Sequence, residues 1–79
     1  MSLKREQKDC LKKYASDMQA AILNKVRYGD DVGATATFHK LRGVRKAAFL
    51  VGDLEVAGFI GGILGELKRL DGASWAEAE

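Results

Sequence analysis

The sequence predicts an all-α fold, a small antiparallel three-helix bundle or a helical hairpin plus a helix, formed as one domain over residues 1 to 79 and expected to oligomerise. Three observations predict it. Apolar residues recur at three-to-four spacing in three successive segments, the period of a helix with one buried face. No proline interrupts any segment. Glycine beside aspartate punctuates the chain twice, at Gly29-Asp30-Asp31 and Gly52-Asp53, where a residue tolerant of positive φ precedes a helix-capping carboxylate.

In the first segment Leu11, Tyr14, Met18, Ala21 and Ile22 fall on one face, predicting helix 1 over about 3–27. In the second, Ala34, Phe38, Leu41, Val44, Ala48 and Val51 do the same, predicting helix 2 over about 31–51. The third carries Val56, Ile60, Ile63, Leu67 and Leu70 on one stripe, flanked by Phe59 and Leu64, and predicts helix 3 over about 53–71. Gly72 closes it, and Ser74-Trp75-Ala76-Glu77 has capping-box spacing, so the tail over 72–79 is expected to be short or to form one turn. Turns of two or three residues make consecutive helices antiparallel neighbours, arranged as an up-down-up bundle or an extended layer.

A chain of 79 residues buries only a modest share of its surface, so a partner or a second copy is an expectation from size alone. With a single cysteine, Cys10, neither an intrachain disulfide nor a cysteine-based zinc site can form; Cys10 reads as structural, and a reducing, cytoplasmic setting is the simplest. The N-terminus alternates charged and apolar residues, unlike a signal peptide. The longest uncharged stretch, residues 56 to 65, has ten residues and four glycines, and a membrane span needs about 20. No membrane partner is expected. Residues 1–51 carry eleven Lys/Arg against five Asp/Glu, a balance of +6, while residues 52–79 carry two against six, a balance of −4. That asymmetry favours head-to-tail contacts or an acidic ligand at the basic end.

Helix 3 also holds Gly58, Gly61, Gly62 and Gly65 at i, i+3, i+4 and i+7, a single stripe roughly opposite the apolar one. Each glycine in a helix interior costs about 0.8–1 kcal/mol relative to alanine. The usual return for small residues at this spacing is close approach of another backbone. Helix 1 or the Trp75 tail could supply that backbone within the chain, or a partner or second copy could supply it from outside.

Helix 2 has no acid after Asp31 and carries Lys40, Arg42, Arg45 and Lys46, spread around the helix, with Arg45 near the apolar stripe. Nucleic-acid binding through these cations is a further alternative, not favoured. No aromatic stacking platform is interleaved with them, and a helix-turn-helix would present Asp53 and Glu55 to the phosphates.

His39, the one histidine, lies on the polar side with Arg42 three residues on and Gly43 one turn later, an arrangement able to carry a phosphoryl group beside a cation and a position without a side chain. The segment His39-Lys40-Leu41-Arg42-Gly43 resembles the His-x-Leu-Lys-Gly core of histidine-containing phosphotransfer domains, over about residues 30 to 67. The resemblance implies His39 as phosphoacceptor, Arg42 in place of the family's lysine and Gly43 as the clearance glycine. The family's four-helix bundle would then be rebuilt by a dimer.

No catalytic triad, nucleotide-binding fingerprint or metal-ligand cluster can be assembled. The sequence therefore points first to a non-catalytic, cofactor-free helical interaction module. It would be an adaptor or inhibitor of the size of bacterial or phage accessory proteins, docking to another protein, to itself, or to both. The contact is expected at Gly58, Gly61, Gly62 and Gly65, rimmed by Lys40, Arg42, Arg45 and Lys46, with Phe49, Leu50 and Trp75 as anchors, each of which reads equally as a core residue.

Overall fold

The structure, a computed structural model, describes residues 3–70 and 73–76. Three helices, α1 (Arg5–Arg27), α2 (Asp31–Leu50) and α3 (Leu54–Lys68), are followed by a 3₁₀ turn over Ala73–Ala76. Each helix packs on both others, so the arrangement is a closed up-down-up bundle rather than an extended layer. The molecule measures 39 × 20 × 17 Å. Among the described residues, no helix is long and apolar enough to cross a membrane.

The two Gly-Asp turns are built alike. Gly29 and Gly52 have φ of 77° and 79°, a left-handed conformation in which a side chain would clash with the backbone. At the first turn Asp30 N donates to Lys25 O at 2.8 Å, and at the second Asp53 N donates to Ala48 O at 3.0 Å. Those bonds satisfy carbonyls at the end of one helix. The same aspartates then start the next helix: Asp30 Oδ1 accepts from Gly33 N at 2.9 Å, and Asp53 Oδ1 accepts from Val56 N at 3.1 Å. A three-residue turn thus ends and caps successive helices, which is why the helices run antiparallel. The capping-box reading of the tail involves Glu77, and the closing role of Gly72 likewise lies outside the described residues.

The core joins all three helices and the 3₁₀ turn. Its largest fully buried side chains are Phe38, Ile22, Leu41, Ile60, Leu67 and Val56. Burying each is worth about 1.5–3 kcal/mol relative to exposure. The predicted faces of α2 and α3 hold through Ala48 and Leu67, after which Val51 and Leu70 lie largely in solvent. On α1 the inward line is Leu11, Ala15, Met18, Ile22 and Val26, so Tyr14 and Ala21, expected inside, are exposed. Positions 14 and 21 sit a full residue step, about 100°, before Ala15 and Ile22, which turns them off a face this narrow. Cys10, expected to be structural, is exposed as well.

Trp75 is corrected most. Expected as a partner anchor, it is 4% exposed and closes one side of the core, edge-on to Phe38 with ring centroids 5.7 Å apart. The Thr35 hydroxyl donates to the Trp75 carbonyl at 2.9 Å, tying the 3₁₀ turn to α2. An indole buried against the largest core side chain is a structural clamp and has no surface left for docking.

Candidate functional site

The cations fall into two regions with different electrostatic settings. On α1, Lys8 and Lys12 both reach Glu55 at the start of α3, with Arg5 adding a third cation at 3.7 Å. Lys8 also lies 3.6 Å from Asp53 Oδ2, the otherwise unbonded oxygen of the buried capping carboxylate. Lys12, then Lys8, through hydrogen bonds and charge, hold the Glu55 carboxyl below its ordinary value of 4.5. The basic excess of α1 is therefore partly neutralised inside the chain by the first turn of α3, instead of awaiting an acidic ligand. That neutralisation also removes the sequence-based objection that Asp53 and Glu55 would repel phosphates.

On α2 the setting is the reverse. Among the described residues, no carboxylate pairs with Lys40, Arg42, Arg45 or Lys46, nor with Lys68 and Arg69 at the end of α3. Arg42, Arg45 and Lys68 border an open groove of about 600 Å³ between α2 and α3. Its apolar surface comes from Phe49, Leu54, Ala57 and Leu64, with Phe49 and Leu54 respectively 48% and 68% exposed. A shallower hollow on the other shoulder of α2 is bordered by His39, Gly43 and Lys46, and shares Arg42, Arg45 and Phe49 with the groove. The helix-2 cations are thus less evenly spread than their sequence positions imply: Arg42, Arg45 and Lys46 share one flank, while exposed Lys40 borders neither hollow.

The glycine stripe divides as well. Gly58, Gly61 and Gly65 line the groove, whereas Gly62 is exposed outside it. Neither α1 nor the Trp75 turn covers the stripe. A Cβ at Gly58 or Gly62 would meet nothing within 4 Å; one at Gly61 would come 3.1 Å from Arg45 Nε, and one at Gly65 3.3 Å from an Arg69 guanidinium nitrogen. The guanidinium of Arg45 also lies 5.2 Å from the centre of the Phe49 ring, so this side chain spans the groove from Phe49 to Gly61. Packing inside the chain accounts for a small residue at Gly61 and gives none for Gly58.

His39 is half-buried, with its ring edge-on to Phe38 at 6.1 Å and Nδ1 3.4 Å from Arg42 Nη1. A Cβ at Gly43 would meet nothing within 4 Å, so this position on the hollow that His39 and Arg42 border is open. Among the described residues, no group of three His, Cys, Asp or Glu side chains is placed to hold a metal ion.

Lys68, Phe49 and Leu54 complete the groove. Their helical positions relative to the glycines were readable, yet which residues form the opposite wall depends on how α2 crosses α3. No known protein family, curated protein or solved structure matches the chain.

Proposed function

We propose that the chain is a non-catalytic interaction module that docks a larger macromolecule through the α2–α3 groove. One observation carries this reading: the cations bordering the groove have no carboxylate partner among the described residues, while Arg5, Lys8 and Lys12 of α1 do. Phe49 and Leu54 expose apolar surface beside these cations, giving the combination of apolar centre and charged rim on which protein interfaces are built. Lys40, Lys46, Gly62 and Trp75 drop out of the contact surface, and Lys68 enters it.

A photo-crosslinking residue in place of Leu54, on the rim, and in place of Asn24, on the outer face of α1, tests the reading in the native host. The expected result is one discrete adduct from position 54, none from position 24, and loss of the adduct in an Arg42→Glu background. Equal adducts from both positions, or none from position 54, would refute it.

A second reading has its own observation: the clear space at Gly43 beside His39 and Arg42 suits a phosphoryl group on the imidazole. Incubation with a small phosphodonor and intact-mass measurement tests it. A phosphohistidine adduct absent from His39→Gln supports phosphotransfer, and an unmodified mass rejects it.

A further inference from the structure

We infer that the occupant of the α2–α3 groove is an acidic amphipathic helix belonging to a different protein, its apolar face on Phe49 and Leu54 and its carboxylates on Arg42, Arg45 and Lys68. This deepens the docking reading and rests on it.

Charge comes first. Three cations line one open groove, and no carboxylate pairs with any of them among the described residues. A ligand that brings carboxylates meets complementary charge at Arg42, Arg45 and Lys68, whereas a basic one is repelled there. Shape comes second. The groove follows α3 from Leu54 to Lys68, a rise of about 21 Å at 1.5 Å per residue, which matches roughly 14 residues of a docked helix. An amphipathic helix laid along two antiparallel helices is a recurring recognition mode, read through apolar anchors at i, i+3 or i+4 and i+7. Gly58 leaves the floor open, and Arg45, now stretched from Phe49 to Gly61, would lift from the floor to meet a carboxylate.

A second copy of this chain fits poorly. Its most exposed helix, α1, carries six Lys/Arg against three Asp/Glu, an excess that Glu55 offsets only in part, so it brings no net negative charge to a positive groove. On α3, Glu55 is already held by α1, and Glu66 already accepts a hydrogen bond from Gln19 at 3.1 Å. The α3 carboxylates are therefore engaged within the chain. Nucleic acid would satisfy the cations but leave the exposed Leu54 and the Ala57 and Leu64 lining unmatched.

A fluorescein-labelled amphipathic peptide of about 14 residues, with leucines at i, i+3 and i+7 and flanking glutamates, serves as probe. Fluorescence anisotropy is read for this peptide, for the same peptide with lysine replacing glutamate, for a scrambled peptide of identical composition, and for a single-stranded oligonucleotide. Only the glutamate peptide is expected to bind measurably. Arg42→Glu should weaken it by about tenfold or more. Gly58→Leu, which fills open space on the floor, should abolish it, while Gly62→Leu outside the groove should leave it unchanged. Circular dichroism of each variant confirms the helical fold, and the Gly62→Leu comparison separates blocking from any general effect of leucine on α3.

Equal binding of the scrambled peptide would reduce the effect to unspecific charge and overturn the inference. Preferential binding of the oligonucleotide would replace it with the nucleic-acid reading. Self-association lost in Gly58→Leu would replace it with a second copy. No binding by the glutamate peptide, together with a discrete protein adduct from position 54, would reject the acidic helix and leave the docking reading standing.

Discussion

The α1–α3 seam and the α2–α3 groove are both rich in cations, and they differ in what those cations face. At the seam, Lys8 and Lys12 meet Glu55, and Lys8 meets the buried Asp53 that caps α3. At the groove, Arg42, Arg45 and Lys68 meet glycine backbone, an aromatic ring and solvent. Positive charge in the first region belongs to the fold, since it secures the start of α3. Positive charge in the second contributes nothing comparable to the fold. A small domain can thus carry one sign of charge on two faces for two purposes, and the location of the acids separates them.

The largest expected effect breaks the seam. Asp53→Ala removes the α3 cap and the partner of Lys8, and should lower stability by about 1–2 kcal/mol, the upper range for a lost N-cap, measured by urea denaturation. An unchanged midpoint would mean that α3 starts without it. Next, Gly58→Ala should raise stability by about 0.8–1 kcal/mol, because the helix gains propensity and the new Cβ meets nothing within 4 Å. A loss there would show that the groove floor is already occupied by another part of the chain or a second copy.

Arg45→Ala should cost about 0.5 kcal/mol, the value of an exposed cation–π contact with Phe49, and a larger loss would place this arginine with the structural cations of the seam. The smallest effect is in the pH dependence. The Glu55 carboxyl lies below its ordinary 4.5 in the folded state, so its contribution is complete above that value and is lost as pH falls through the lowered one. Glu55→Gln should therefore flatten the acid limb of stability against pH. An identical acid limb in wild type and variant would remove the network from the account.

Much of the architecture was legible in the chain because its determinants are local. Gly29-Asp30 and Gly52-Asp53 set the turns through one positive φ and one side-chain cap, so the α2 and α3 starts fall within a residue of their expected places. The buried faces of α2 and α3 follow helical periodicity, with Phe38, Leu41, Ile60 and Leu67 inside as expected. Helix α1 was less legible: its apolar residues lie on two adjoining faces, and periodicity alone does not say which one its neighbours cover. Trp75 is ambiguous in sequence for a non-local reason, since only the docking of the tail on Phe38 makes it a core residue. The groove was half legible, with the glycines and α2 cations visible in sequence. The α1 lysines that neutralise Glu55 are separated from it by more than 40 residues, and no local pattern pairs them.

The contrast between the two cationic regions is tested most directly by matched charge reversals, Lys8→Glu with Lys12→Glu against Arg42→Glu with Lys46→Glu, compared by urea denaturation. The account predicts a clear fall in midpoint for the α1 pair, whose new carboxylates would face Glu55 and Asp53, and a midpoint unchanged within about 0.5 kcal/mol for the α2 pair, as for ordinary surface substitutions. Equal losses in the two pairs would contradict it, because the α2 cations would then be part of what holds the bundle together.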